Sequence, residues 1–227
     1  MNPLPERPLS FGQRLRFLLF PACCPLCGNV IPMQRLFCET CEEAISDKIF
    51  EDTYVLEKDN TVHAAALWKY DGQVRQTLLA YKFSGQIDFR EAFGVALASL
   101  VKGVSTDSFD LVVSVPSDKK RVRQLGFDHA GELARQAAQR LSLPYRPVMI
   151  RTRKAVFQHT LTREDRMRNL KNVFAVNEDL TGMRVLLVDD IITTGASGCA
   201  CAEALYRAGA AEVLAVAVAK TMREEFQ

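Results

Sequence analysis

Two kinds of apolar pattern alternate along this chain. Short runs of consecutive apolar residues predict buried strands, which lie at 61–70, 109–115, 185–188 and 213–219. Between these runs apolar residues recur every three or four positions and predict helices, at 74–83, 89–102, 128–141 and 198–208. Strands that alternate with helices in this order are typical of an α/β fold with a doubly wound parallel sheet and helices on both faces.

Two further segments have weaker strand patterns. Residues 145–151 are expected to complete a βαβ unit with the strand at 109–115, and residues 170–176 are expected to return to the same sheet. Residues 152–169, which lie between them, are rich in Arg and Lys with few apolar residues. They predict a basic arm that closes over a site for an anionic substrate. The alternative is an exposed charged linker.

The N-terminal segment carries a short amphipathic pattern. After a Pro-rich stretch, Phe11, Leu15, Leu18 and Leu19 follow helical spacing. We expect this helix to dock on the chain's own domain, and a partner or a membrane surface is the alternative. The chain has no run of 18 apolar residues and a poor signal-peptide pattern, which predicts a cytoplasmic protein without a transmembrane span.

The stretch at 185–197 joins a buried strand to a helix and carries the main candidate chemistry. Two acids, Asp189 and Asp190, follow the strand, and a turn of small and hydroxyl residues comes next: Thr193, Thr194, Gly195, Ala196 and Ser197. Turn hydroxyls and the amides of a helix N-terminus favour a phosphate. The acids would repel a phosphate, so they suit sugar hydroxyls or a divalent cation. The stretch therefore predicts a site for a phosphorylated sugar. A ligand-free strand and capped helix is the alternative, but adjacent acids without partners are costly.

A second candidate segment follows Pro116, at the end of another predicted strand. Residues 117–127 are expected to form a loop with four cations, which are Lys119, Lys120, Arg121 and Arg123. Charge-assisted bonds from these side chains would hold a diphosphate. Because parallel strands end at the same edge of a sheet, this loop and the 185–197 stretch are expected to share one crevice.

The net charge of +2 hides an asymmetry. Residues 118–171 contain fourteen Lys and Arg against five Asp and Glu, so this segment carries +9 and the remainder −7. A diphosphate, a nucleic acid or both would satisfy a basic segment, whereas acids elsewhere in the fold are the alternative partners. Lys82 lies near the end of a predicted helix, where we expect it to serve the helix dipole rather than an anion.

Four cysteines form two Cys-x-x-Cys pairs separated by ten residues: Cys24, Cys27, Cys38 and Cys41. This spacing is typical of a structural zinc site in which four thiolates surround the ion. Cys23 could replace Cys24, but only Cys24 leaves a two-residue spacer. We divide the chain accordingly into a tail with a short helix (1–22), a four-cysteine zinc-ribbon module (23–55) and the α/β domain (56–227).

The 185–197 stretch resembles the phosphoribosyl-pyrophosphate (PRPP) motif of the type I phosphoribosyltransferases. That resemblance implies that residues 193–197 hold the 5′-phosphate and that Asp189 and Asp190 hold the ribose hydroxyls. At the level of the whole chain, the four cysteines, the run at 68–72, the segment at 123–134 and the residues Gln158, Leu161, Arg166 and Asn169 resemble the ComF family. That family usually has Gly-Phe-Asn-Gln where this chain has Gly126-Phe127-Asp128-His129.

The ComF resemblance implies PRPP with Mg²⁺ as the ligand, with its diphosphate on the basic residues at 119–123. Catalysis, if transfer occurs, would depend on positioning and electrostatics around Asp189 and Asp190. The implied role is a zinc-bearing adaptor in DNA uptake, competence or the use of exogenous DNA. Candidate partners are single-stranded DNA and a DNA-uptake helicase or processing protein that docks on the zinc module. The alternative is an active Mg²⁺-dependent phosphoribosyltransferase in nucleotide salvage, with an unknown acceptor.

Overall fold

A computed structural model describes residue 6 and residues 9–47, 49–57, 60–83, 89–152 and 172–222. In these residues the helices are α1 (Phe11–Leu19), α2 (Glu39–Asp47), α3 (Gly72–Phe83), α4 (Phe89–Val104), α5 (Lys119–Leu125), α6 (His129–Leu141) and α7 (Ala196–Arg207). The strands are β1 (Phe50–Val55), β2 (Thr61–Lys69), β3 (Leu111–Ser114), β4 (Met149–Arg151), β5 (Phe174–Val176), β6 (Arg184–Ile192) and β7 (Glu212–Lys220).

The main sheet has the strand order β1-β2-β7-β6-β3. Strands β2, β7, β6 and β3 run parallel, as the alternating pattern predicts. Edge strand β1, which is not predicted from the sequence, runs antiparallel to β2. Its side chains alternate between half-buried and exposed, but its acids and Thr make it too polar to stand out as an apolar run.

Helices cover both faces of this sheet and create two cores. Leu186 and Val188 of β6 pack into the core that contains α4 and α6. Val185 and Leu187, which point to the other face, pack into the core that contains α7. Because both faces are covered, the strands are apolar along their whole length, which is why they are recognisable as runs.

The segment at 145–151 differs from its predicted place. The segment meets the main sheet in a short parallel bridge between Tyr145 and Val112, where the Arg146 N–H donates to the Val112 carbonyl at 3.1 Å. Strand β4 pairs instead with β5, in a separate antiparallel two-stranded sheet. Pro144 and Pro147 have no backbone N–H, so neither can donate to a ladder on the edge of β3. The prediction that 145–151 and 170–176 both join the main sheet is therefore wrong, and the basic arm between them lies outside the described residues.

The segment after Pro116 is a helix rather than the predicted loop. Asp118 begins α5: its carbonyl accepts the Val122 N–H at 2.9 Å, and its side chain accepts the Lys120 N–H at 2.8 Å. An Asp at this position satisfies amides that a helix start leaves free. Three neighbouring cations masked this start in the sequence, because they suggested an exposed anion-binding loop.

Helix α1 contacts the rest of the protein less than expected. Phe17 is half-buried and packs on the main core, whereas Phe11, Leu18 and Leu19 are each more than 70% exposed. Docking on the chain's own domain thus involves Phe17 rather than the whole predicted apolar face. Among the described residues, no helix is long and apolar enough to cross a bilayer.

The four-cysteine segment shares a core with the sheet. Phe37 is completely buried, and its ring lies 5.9 Å from that of Trp68 on β2. The hydroxyl of Thr77 on α3 donates to the Pro25 carbonyl at 2.8 Å. The predicted boundary at 55/56 falls at the end of β1, although β1 pairs with β2 beyond it. The division into three segments remains a prediction.

Candidate functional site

The carboxyl ends of β3 and β6 form one wall of the candidate site. These strands are paired in parallel with Ser114 beside Val188, and the next amide, Val115 N–H, donates to the Val188 carbonyl at 2.9 Å. The register therefore brings Pro116 and Ser117 next to Asp189 and Asp190. Together these residues line a cleft of about 640 Å³ with parts of α3, α5 and α6.

Asp190 forms an ion pair at the floor of this cleft. Its Oδ2 lies 2.7 Å from Lys82 Nζ, and both side chains are largely buried, at 15% and 11% exposure. The expectation that Lys82 serves the helix dipole is thus replaced by a specific carboxylate partner. A second cation, Arg151 at the end of β4, also lines the cleft. No local pattern in the sequence links either residue to the acid pair, so neither is predicted to belong to the site.

The carboxyl of Asp189 has a strongly raised pKa. Burial of its carboxyl and the neighbouring charge of Asp190 raise the pKa of Asp189 to about 8, and Asp128 acts in the same direction. The Asp190 N–H, which donates to Asp189 Oδ1 at 2.8 Å, and the charge of Lys82 oppose this rise. A cation brought by a ligand would favour the ionised form, so ligand binding near neutral pH is coupled to proton release.

Replacing Asp189 by Asn should stabilise the unliganded protein, and more at pH 8 than at pH 5. An unfolded chain has an ionised Asp at both pH values, whereas the folded protein retains the Asp189 proton until the pH approaches 8. At pH values between the ordinary pKa of Asp in the unfolded chain and the raised pKa of Asp189 in the folded protein, the folded state binds more protons than the unfolded state. The free energy of unfolding therefore falls as the pH rises, and the Asn variant loses this dependence. Melting temperatures at the two pH values measure the effect.

Asp179→Asn is the control for that experiment. Hydrogen bonds from Thr181 lower the pKa of this exposed Asp, so its contribution is lost only as the pH falls through the acidic range. Its substitution should change the melting temperature by a similar small amount at pH 5 and pH 8. An equal change at both pH values in the Asp189 variant would contradict the raised pKa.

Lys82 is held in place by an aromatic cluster beneath the cleft. His129, at the start of α6, is buried, and its Nε2 lies 3.1 Å from the Lys82 carbonyl, which can only accept, so Nε2 carries the proton. The Tyr81 hydroxyl donates to the His129 carbonyl at 3.0 Å. The Phe127 ring packs on His129 with centroids 4.2 Å apart. These contacts fix the end of α3 against α6, and with it the origin of the Lys82 side chain.

The phosphate-type turn is built around Gly195. This residue has φ 78°, a left-handed conformation that glycine adopts without strain, and it precedes the first residue of α7. The Thr194 hydroxyl accepts the Ala196 N–H at 3.4 Å, while Ser197 lines the cleft. Thr193, Gly195 and Ser197 border a smaller cavity of about 30 Å³ with Asp189. The turn therefore places helix amides and hydroxyls beside the acid pair.

The four predicted diphosphate cations are distributed unevenly. Lys120 lines the cleft. Lys119 and Arg123 are exposed on α5 and are not among the described residues that border the cleft. The side chain of Arg121 lies outside the described residues. A helix of seven residues presents its side chains in several directions, so neighbouring cations cannot all face one ligand.

Asp128 occupies the N-cap position of α6 but does not cap it. Its side chain makes no cap hydrogen bond, and its Oδ1 instead accepts the Ser117 hydroxyl at 2.7 Å. A methyl group on Gly131 would approach Asp128 Oδ2 to 2.4 Å, so only glycine leaves room for this arrangement. Asp128 thus ties the end of β3 to α6, and its charge acts on Asp189 from behind the cleft wall.

The four cysteines of the predicted zinc site come together. All four Sγ atoms lie within 4.8 Å of one another, and Cys27 Sγ is 3.5 Å from Cys38 Sγ. Cys23 is exposed, and its Sγ lies 3.5 Å from the Pro21 carbonyl, which leaves Cys24 as the fourth member. Among the described residues, this is the one group of three or more candidate ligands within reach of a single ion.

The cluster fits a tetrahedral zinc ion. Zinc–sulfur bonds of about 2.3 Å place the sulfur atoms about 3.8 Å apart, which is compatible with four Sγ atoms that all lie within 4.8 Å of one another. The cysteines are free thiols rather than disulfides. Burial raises the pKa of the Cys24 and Cys41 thiols, so a cation is needed to hold them as thiolates. We therefore treat the cluster as a metal-binding group of the zinc type.

Large parts of this chain are similar to known proteins. Residues 124–226 match the family model for the phosphoribosyl transferase domain. The chain is 27% identical to competence protein ComFC of Bacillus subtilis over 174 residues, which cover 77% of this chain and 67% of that protein. It is 33% identical to DNA utilization protein YhgH of Escherichia coli over 114 residues, half of each chain.

Among solved structures, the glutamine PRPP amidotransferase of Bacillus subtilis is similar to 61% of this chain and aligns over 30% of its own length, with a TM-score of 0.41 and 21% identity.

The acid pair and the glycine turn lie within the segment that matches the phosphoribosyl transferase domain. Together with the parallel sheet that carries them, they define a type I phosphoribosyltransferase-like protein. A four-cysteine module precedes this domain. The similarity to these competence and DNA-utilization proteins supports membership of the ComF family.

Proposed function

We propose that this protein binds PRPP with Mg²⁺ in the cleft at the carboxyl ends of β3 and β6. The observation that carries the proposal is the juxtaposition of Asp189 and Asp190 with the Gly195 turn at one strand end. The ribose hydroxyls would lie on the acid pair and the 5′-phosphate on residues 193–197. Mg²⁺ is commonly held by one or two carboxylates together with substrate phosphates, which suits a pair of acids.

Cations around the cleft would take the diphosphate. Lys120 and Arg151 line the cleft and can donate charge-assisted hydrogen bonds to phosphate oxygens. Lys82 would have to share Asp190 with the ribose, because its Nζ now lies on that carboxylate. We expect ligand binding to exchange part of this ion pair for ribose hydroxyls, and the Lys82 ammonium to remain within reach of the diphosphate.

Calorimetric titration of Mg²⁺·PRPP into the full chain tests the proposal. Saturable binding should weaken by about a hundredfold or more in the Asp189→Asn, Asp190→Asn double variant, because charge-assisted contacts contribute about 1.5–3 kcal/mol each. Asp71→Asn, which alters an exposed acid paired with Lys69, is the matched control and should bind as the wild type does. Wild-type protein that is folded, metal-loaded and unable to bind would disprove the assignment.

For the biological role, we propose a cytoplasmic zinc-bearing adaptor in the uptake or use of exogenous DNA. The names of the ComF relatives support this proposal, and so does the exposure of Lys119 and Arg123 on α5, outside the cleft. Single-stranded DNA would contact this basic helix, and a helicase or processing protein would dock on the module of residues 23–55. The chain matches only half the length of the YhgH relative, so this role rests on partial coverage.

Salt dependence distinguishes DNA binding from small-molecule binding. Binding of a labelled single strand should weaken steeply between 50 and 200 mM salt, because each phosphate contact releases counterions. The logarithm of the binding constant should fall against the logarithm of the salt concentration with a slope of about −0.7 per contact. The Lys119→Ala, Arg123→Ala variant removes two such contacts, so it should reduce the magnitude of that slope by about 1.4 and leave the affinity for Mg²⁺·PRPP unchanged. Absence of any strand binding at 50 mM salt would refute the DNA arm of the proposal.

An active phosphoribosyltransferase is the second candidate. The observation that favours it is an apolar side of the same cleft, formed by Phe83, Val122 and Leu125 next to Lys82. Such a surface could receive a planar acceptor beside the ribose. Release of pyrophosphate that depends on an added base or nucleoside would identify transfer, and release that depends on no acceptor would identify hydrolysis alone.

A further inference from the structure

The Gly195 turn is supported by Tyr54, a residue of edge strand β1. A methyl group placed on the Cα of Gly195 would lie 2.5 Å from Cζ and 2.7 Å from the hydroxyl oxygen of Tyr54. The Tyr54 ring therefore packs directly against the backbone of the turn. Within the described residues Tyr54 does not border the small cavity lined by Thr193 and Ser197, so it supports the turn from outside.

Two further residues hold the Tyr54 ring in this place. Its hydroxyl donates to Asp52 Oδ2 at 2.7 Å, on the same face of β1. Asp52 also forms an ion pair with Lys220, the last residue of β7, whose side chain is 15% exposed. The following amide, Thr221 N–H, donates to the Ile192 carbonyl at 2.9 Å. The end of β7 thus anchors both the start of the turn and the residue that supports it.

We infer that Tyr54 is a positioning residue for the phosphate turn, fixed by Asp52 and Lys220, and that it sets the affinity of the turn for a phosphate monoester. The physical reason is preorganisation. A left-handed glycine next to a helix start can adopt other conformations, and a ring packed on its Cα excludes those that turn the amides away. This inference rests on the proposed function, because it concerns the residues assigned to the 5′-phosphate.

A positioning role of Tyr54 predicts different effects on the 5′-phosphate and the diphosphate portions of PRPP. Ribose 5-phosphate contains the monoester that the turn would hold, whereas Mg²⁺·pyrophosphate contains only the diphosphate portion. If Tyr54 acts through the turn, its loss weakens the first ligand and leaves the second unchanged. A merely structural role would alter the melting temperature and affect both ligands alike.

The experiment is calorimetric titration of both probes into the full chain and three variants. Tyr54→Ala should weaken ribose 5-phosphate about tenfold or more. Tyr54→Phe, which keeps the ring but loses the Asp52 hydrogen bond, should weaken it about fivefold, the equivalent of one hydrogen bond. Pyrophosphate affinity should stay within about twofold of wild type in both, the size of an ordinary surface substitution. The matched control is Tyr206→Phe, whose hydroxyl donates to the Thr61 carbonyl at 2.6 Å, at the other end of α7.

The outcomes are distinguishable. If the wild type binds ribose 5-phosphate and both Tyr54 variants bind it equally well, the positioning role is overturned while the proposed function stands. If Tyr206→Phe has the same effect as Tyr54→Phe, the effect is general loosening of α7, which also overturns it. If the wild type binds neither probe nor PRPP, the proposed function fails and the inference falls with it. Tyr54→Phe preserves the packed ring, so the test survives even if Tyr54→Ala does not fold.

Discussion

Replacing Cys38 by Ser is expected to remove the metal from the four-cysteine cluster and to destabilise the whole protein. Three thiols that converge within 4.8 Å of one another would lose the ion that holds them as thiolates. The neighbouring Phe37 is completely buried against Trp68, so disorder in the module reaches the core of the sheet. We expect the free energy of unfolding to fall by at least about 3 kcal/mol, because metal binding that requires a folded site is also folding free energy.

Zinc content by elemental analysis and the thermal unfolding curve measure this effect. Cys23→Ser provides the matched control, since Cys23 is adjacent to the cluster, exposed and not part of it. That variant should retain one equivalent of zinc and the wild-type melting temperature. A Cys38→Ser protein with full zinc content and unchanged stability would show that the cluster is not a structural metal site.

Gly195→Ala should disable the phosphate turn. The left-handed conformation, φ 78°, costs an L-residue about 1–2 kcal/mol, and the added methyl group would overlap Tyr54. Overpacking adds about 1–3 kcal/mol, so the backbone is expected to shift rather than accept both penalties. Since 1.4 kcal/mol is a tenfold change in affinity, ribose 5-phosphate and PRPP should each bind at least about tenfold more weakly.

Gly12→Ala is the control at a helical glycine outside the phosphate turn. A methyl group at Gly12 meets no atom within 4 Å, and the residue lies in α1 and borders neither the cleft nor the smaller cavity. This substitution should raise stability slightly, because alanine favours a helix by about 1 kcal/mol over glycine, and should leave phosphate affinity unchanged. Calorimetric titration of ribose 5-phosphate into both variants measures these effects. If the Gly195→Ala variant binds it as tightly as the control variant does, the Gly195 turn is not the phosphate site.

Much of the fold could be predicted because its signals are local. The buried strands are apolar along their length, and α4 and α6 show helical spacing against them, so their existence and order are visible without tertiary information. The segment at 117–127 was misassigned because charge was given more weight than the helix-starting position of Asp118. The strand at 145–151 was misplaced because, after the short bridge at Tyr145, its residues pair with β5 and not with β3, which only the sheet geometry reveals.

The candidate site also contains both features that the sequence predicts and features that depend on the tertiary structure. The sequence by itself determined the acid pair, the glycine turn and the cysteine spacing, because each is a contiguous motif whose chemistry follows from its residue types. Only the tertiary structure decided that Lys82 pairs with Asp190, that Tyr54 supports Gly195 and that Cys24 rather than Cys23 joins the cluster. Such contacts join segments that are distant along the chain. They depend on strand order, register and side-chain direction, which a local pattern does not contain.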